Sequence, residues 1–232
     1  LVEELGIDPG PELRELESAI LRQDDSLLLE EMPLTSPPMQ FRRLATIVFV
    51  DVVGSMEVAE RLDAEALGTV QRRYFETISA AVQRHGGVVE RYAGDAVMAA
   101  FGVPVTHEDD ALRATRAALD ARLGVAALSD QLTRELGFGL EVRIGLAAGE
   151  VVATATESRQ RFVAGDAVGV AARLQHAAPP GEIVVGEVVA RLIGRAATLE
   201  ALGVLDVPGR KAPLEMFRLV ELAPDTPTFE AR

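Results

Sequence analysis

At 232 residues, with 48% hydrophobic and 25% charged residues, the chain has the composition of an ordinary globular protein, either one large domain or one domain with an appendage. It contains no cysteine, which excludes disulfides and thiolate metal sites, and no apolar run approaches the roughly 18 residues of a membrane span. The net charge of −13 is uneven: residues 1–40 carry ten acids against Arg14 and Arg22, and neither part has the clustered positive charge of a nucleic-acid surface.

The chain opens on Leu1, which reads as a piece of a longer protein. Leu5-Gly6-Ile7-Asp8-Pro9-Gly10 is turn chemistry. Pro11-Glu12 then starts a helix whose stripe is Leu13, Leu16, Ile20 and Leu21. This stretch is similar to the last repeat of the bacterial transcriptional activation domain, a helical-repeat module; an isolated amphipathic helix is the plainer alternative. Residues 1–30 are therefore expected to be a helical fragment of a preceding domain. Residues 31–42, with Pro33, Pro37 and Pro38, are expected to be a linker.

The informative stretch is residues 44–51, an apolar, β-branched run that ends in Asp51. So many large side chains in succession require cover on both faces, as in a buried strand. Asp51 then stands at a strand's C-terminal end, where α/β sheets place ligands. Gly54 and Ser55 follow, at the start of a helical pattern over 56–84 with Leu62, Leu67, Val70, Tyr74, Ile78 and Val82. Backbone N–H groups free at such a start favour a phosphate. A carboxylate beside a phosphate requires a cation between them.

His85-Gly86-Gly87 stops the helix. Strands 88–92 and 96–101 flank the turn Ala93-Gly94-Asp95 as a hairpin, which supplies a second carboxylate. A second long helix runs from the acids 108–110 to about Leu136, relaxed around Gly124. A strand over 140–148, continued by 149–153, completes a β-α-β-β-α-β order, the ferredoxin-like arrangement. Beyond it the pattern predicts strand 162–164, helix 166–177, strand 183–185, helix 187–193, and strands near 203–207 and 214–220. Glu57, Glu60, Arg61, Asp63 and Glu65 read as a solvated helix face. His85, His107 and His176 read as turn, cap and exposed helix-end residues.

Two strand-end carboxylates on such a sheet suit a two-metal phosphoryl-transfer site, in which cations roughly 4 Å apart act on the attacking and leaving oxygens. Mg²⁺ keeps waters and takes oxygen ligands, so two carboxylates and substrate phosphates suffice. Asp95 as simple turn chemistry is the alternative.

Residues 43–220 also resemble the class III nucleotidyl cyclase catalytic domain. The likeness lies in Phe49-Val50-Asp51-Val52-Val53-Gly54-Ser55, in 85–99 around Tyr92-Ala93-Gly94-Asp95, in Val142-Arg143-Ile144-Gly145-Leu146, and in Gly165-Asp166-Ala167-Val168 with Ala171-Ala172-Arg173-Leu174. It implies an α+β fold, with the ferredoxin-like core and a C-terminal extension (the class III cyclase fold), and a tail over 221–232. It further implies that Asp51, the Val52 carbonyl and Asp95 hold two divalent cations, Mg²⁺ or Mn²⁺, while Val53, Gly54, Ser55 and Met56 wrap the triphosphate. The family works as dimers with shared sites. Arg173 would steady charge on the α-phosphate, and Arg210 would hold the terminal phosphates from the partner side.

Three positions depart from the family pattern. Arg91 replaces a purine-selecting lysine, keeping the charge but not the shape. Phe162 stands near the position at which the family has an aspartate or threonine to read the purine edge, and Gly169 replaces the asparagine that orients the ribose. The resulting expectation is a slow bacterial cyclase, cytoplasmic and without membrane or nucleic-acid contacts, acting on ATP ahead of GTP as a homodimer joined to other domains. The main rival is a catalytically degenerate module that binds nucleotide and metal. A diguanylate cyclase or polymerase-like palm shares the core but fits the motifs around Asp95 and Arg173 less well.

Overall fold

The computed structural model describes residues 39–155, 162–207 and 213–223, together with Gly10, Pro11 and Ser18. The chain divides into two units, residues 1–39 and 40–232, and the architecture below is that of the second. Of the helix expected within 1–30, all but Pro11 and Ser18, which are helical, lies outside the described residues.

The elements follow one another as β1 (Met39–Val52), α1 (Ser55–Arg61), α2 (Ala64–Arg84), β2 (Val88–Ala93), β3 (Ala96–Phe101), α3 (Asp110–Leu136), β4 (Val142–Ala155), β5 (Phe162–Ala164), α4 (Asp166–Ala177), β6 (Ile183–Gly186), α5 (Glu187–Ile193), β7 (Ala197–Leu205) and β8 (Leu214–Leu222). They build one mixed sheet in the order β2-β3-β1-β4-β6-β8-β7, with β5 paired to β4. The fold class is α+β, as expected.

Strand β1 lies inside the sheet between β3 and β4, which explains its unbroken apolar run. Its side chains alternate between two cores, as the two-residue period of a strand requires. Val48, Val50 and Val52 join the core beneath α2, α3 and α5, with Tyr74, Ile78, Leu128 and Leu132. Ala45 and Ile47 join the core beneath α4, with Val170, Ala171 and Leu174. By that alternation Asp51 belongs to the α4 side. Antiparallel register sets Phe49 opposite Met98 and Val50 opposite Val97, so the end of β1 meets the start of β3 and the turn before it.

Several boundaries differ from the sequence reading. The strand expected from 44 begins at Met39, taking in the end of the expected linker. The helix expected over 56–84 is two helices, because Asp63 caps α2 by accepting a hydrogen bond from the Ala66 N–H at 2.8 Å; it is exposed, as expected, but stands at a helix start and not within one. Helix α3 continues through Gly124, where a Cβ would meet Thr77 Cγ2 at 2.7 Å, so the glycine admits α2 rather than loosening the helix. Strand β7 begins at Ala197, well before the expected 203.

Candidate active site

The site grows from two strand ends. Asp51 closes the apolar run of β1, and Asp95 sits in the β2–β3 turn. Pairing of β1 with β3 brings the two carboxyl groups within hydrogen-bonding reach of each other. The Asp51 side chain is only 16% exposed. Burial, and then the charge and hydrogen bond of Asp95, push its carboxyl above the usual carboxylate range; Arg143 and Gln175 act in the opposite direction.

Both opposing groups come from the elements beside β1. Arg143 on β4 places Nη2 at 3.9 Å from Asp51 Oδ2, and Gln175 on α4 donates from Nε2 to the same oxygen at 3.1 Å. Tyr74 lies under the pair. Its side chain is 2% exposed, and its hydroxyl, like Arg143 Nε, is buried without a hydrogen-bond partner. Burial, and then the charges of Asp51 and Asp95, push its phenol upward. Unpaired buried polar atoms are uncommon in native interiors, and here two of them flank one carboxylate pair.

The donor set fits a hard divalent cation: two carboxylates, no thiolate and no imidazole. Among the described residues no group of three or more His, Cys, Asp or Glu could hold an ion. Asp51 and Asp95 thus leave coordination positions to backbone, water and substrate oxygens. A cation between them would also relieve the repulsion of two like charges in a poorly solvated setting.

Residues 53–56 carry the chain from β1 into α1. Gly54 has φ 67° and ψ 32°, a left-handed conformation that explains the glycine, and no side chain caps the helix that follows. The Val53 N–H donates to the Glu141 carbonyl at 2.8 Å, fastening this loop to the entry of β4. A cavity of about 240 Å³ opens beside Asp95, lined by Val52, Ser55, Met56, Tyr74 and Gly94 among others. A larger one, about 670 Å³, reaches Val53 and Glu141 from α3 but includes neither carboxylate.

The other expected residues that the structure describes are placed apart from this group. Arg91 is exposed on β2, opposite Met98 and two strands from β1. Gly169 and Arg173 are half-buried on one side of α4, where, among the described residues, a Cβ on Gly169 would meet only Arg173 Nη1, at 3.5 Å. Phe162 opens β5 opposite Thr154. Arg210 lies outside the described residues. Gln175, Arg143 and Tyr74 were not singled out as site residues by the sequence reading. Gln175 had a signal, a polar residue on the apolar stripe of α4; Arg143 had another, a charge within an apolar strand.

The model of the adenylate and guanylate cyclase catalytic domain matches residues 38–221. The chain belongs to that family. It is 27% identical to the adenylyl cyclase CyaB from P. aeruginosa, whose crystal structure matches with a TM-score of 0.76 over 81% of this chain and 99% of that one. The guanylyl cyclase Cya2 matches with a TM-score of 0.74 at 27% identity, over 79% and 94% of the two chains. The uncharacterized protein Rv1319c of Mycobacterium tuberculosis is 37% identical over 138 residues, 57% of this chain. The chain spans about a quarter of the length of that relative, 24%. Among the described residues no helix is long and apolar enough to cross a membrane.

Proposed function

We propose that this domain is a nucleotidyl cyclase that converts ATP, ahead of GTP, to the 3′,5′-cyclic monophosphate and pyrophosphate. The observation that carries this reading is the meeting of Asp51 and Asp95 at adjoining strand ends, beside the loop 53–56. Membership of the cyclase family and the likeness to an adenylyl and a guanylyl cyclase support it.

Two divalent cations, Mg²⁺ or Mn²⁺, would supply Lewis-acid activation of the attacking 3′-hydroxyl and charge neutralisation on the phosphates. Asp51, Asp95 and the Val52 carbonyl would hold them. The loop Val53-Gly54-Ser55-Met56 would cradle the triphosphate with backbone N–H groups. The 3′-oxygen would attack the α-phosphorus as the bond from the α-phosphorus to the bridging oxygen breaks, pyrophosphate leaving with that electron pair and the hydroxyl proton passing to solvent water. Arg173, from a second copy of the chain, would steady charge on the α-phosphate, with Arg210 on the terminal phosphates.

Gly169 and Phe162 favour a second reading, a module that binds nucleotide and metal without turning it over. Purified protein with Mn²⁺ or Mg²⁺ and ATP or GTP, its products separated by chromatography, decides between them. Cyclic nucleotide and pyrophosphate in equal amounts are expected. Nucleotide bound but unchanged under all four conditions would establish the second reading.

A further inference from the structure

Helix α4 is seated directly on β4. A Cβ on Gly145 would lie 2.2 Å from the Gln175 backbone nitrogen and 2.4 Å from the Ala171 carbonyl oxygen, so no side chain fits between helix and strand. The inward stripe of α4 (Ala167, Val170, Ala171 and Leu174) is buried, and Gln175 shares its burial at 3% exposure. A primary amide buried so deeply requires a hydrogen-bond partner. Its partner is a residue 124 positions away in the chain: Nε2 donates to Asp51 Oδ2 at 3.1 Å.

Arg173 stands two residues earlier on the same helix. Residues two apart are about 200° apart around a helix axis, so the two side chains leave α4 on opposite sides. One short helix therefore carries the arginine on one flank and a grip on the metal-side carboxylate on the other.

We propose that Gln175 is a positioning residue for this site: its amide holds Asp51 Oδ2, presents the other oxygen to the cation, and ties the carboxylate's orientation to the helix that carries Arg173. The inference rests on the metal-binding reading of Asp51 and Asp95 given above. Arg143 makes the role necessary. Its Nη2 is 3.9 Å from the same oxygen, and without the amide Asp51 is drawn toward the guanidinium and away from Asp95. Groups that orient a metal ligand in this way typically change metal affinity by roughly 10–100-fold when removed.

The test is Mn²⁺ binding to the full chain, read from the electron paramagnetic resonance signal of free Mn²⁺. Gln175→Met keeps the side chain's length and removes the amide. It is expected to weaken Mn²⁺ binding by about tenfold or more, and to lower kcat while leaving KM for the nucleotide near the wild-type value. A folded Gln175→Met protein with wild-type Mn²⁺ affinity overturns the proposal. Wild-type protein that binds no Mn²⁺, or that binds it equally well after Asp51→Ala, overturns the metal reading itself and this inference with it. Should the Met variant not fold, the wild-type side-chain amide signal of Gln175 gives the answer in a Mg²⁺ titration by nuclear magnetic resonance. The signal is expected to shift together with the Asp51 backbone amide; a Gln175 signal that stays fixed while Asp51 shifts overturns the proposal.

Discussion

The carboxylate side of the site and the side proposed to read the nucleotide are built in different ways. Asp51 and Asp95 are brought together by strand register, and Asp51, at the end of a strand that feeds two buried cores, is braced by Gln175 and Arg143. Arg91 is exposed on β2, and Gly169 has room for a side chain. A change at Asp51 disturbs neighbours on two elements, whereas a change at Gly169 meets one flexible guanidinium end. Departures from the family pattern fall on the second side, where the fold imposes little cost. Under the proposed function they bear on what the domain recognises and how fast it works, not on whether it folds.

The largest expected effect tests the carboxylate side. Asp51→Ala or Asp95→Ala should lower metal-dependent turnover by at least about 10³-fold, since the charge that holds both cations is halved. Both variants should fold; Asp51→Ala should melt somewhat lower, because the buried Gln175 amide loses its partner, whereas Asp95→Ala, which removes a like charge beside Asp51, should not. Unchanged kcat in either variant would end the two-metal proposal. Mixing inactive Asp51→Ala with inactive Arg173→Ala should restore part of the activity, because one shared site of the heterodimer is intact. Heterodimers that form and stay silent would place both halves of a site within one chain.

On the nucleotide-reading side, Gly169→Asn should raise kcat with little change in KM. A positioned donor of this type is worth roughly 10²–10³ in rate, and a gain of about tenfold is expected after imperfect fit. Kinetics with Mn²⁺-ATP, alongside melting curves, read this out; equal stability with no gain would show that residue 169 is not the missing contact.

Smaller effects calibrate the scaffold under the carboxylates. Tyr74→Phe removes a buried hydroxyl that has no partner. Denaturant unfolding should place it within about 1 kcal/mol of wild type, on the stable side if anything; a larger loss would reveal a partner for the hydroxyl. Asp120 on α3 is the most modest case. Burial raises its carboxyl, but hydrogen bonds and charge from His85 and Arg84 outweigh this and hold it below the usual range. A lowered carboxylate stabilises the fold above its unfolded value near 3.9, and that contribution fades as pH falls through the folded value. Asp120→Asn should therefore cost below about 1 kcal/mol at neutral pH, with the difference from wild type vanishing in acid. A constant difference down to pH 2 would remove the charge from the explanation.

Much of this architecture was legible because it is local. The apolar run ending in Asp51 and the hairpin turn holding Asp95 each declare themselves within about ten residues, and their order names the sheet. The break at Asp63 was hidden because the helical period continues across it and a capping acid looks like a surface acid. The start of β1 was hidden because Arg42 and Arg43 are exposed where the strand begins. Strand β7 is an edge strand, largely exposed, so no buried alternation marks its start. Gln175 could not be paired with Asp51 from sequence at all: a single chain carries no record of which distant polar group a buried amide will meet.

The seating of α4 on Gly145 has a consequence for how a saturation mutagenesis screen of this domain would read. Gly145 touches no ligand in any reading given above, yet even an added methyl must lift α4, and Gln175 would move off Asp51 with it. In a growth selection such variants would score with the loss of an active-site residue, and the protein would also accumulate less, because α4 covers a buried core. A conserved-looking glycine in mid-strand would then be mistaken for catalytic machinery, when its role is to set the height of a helix.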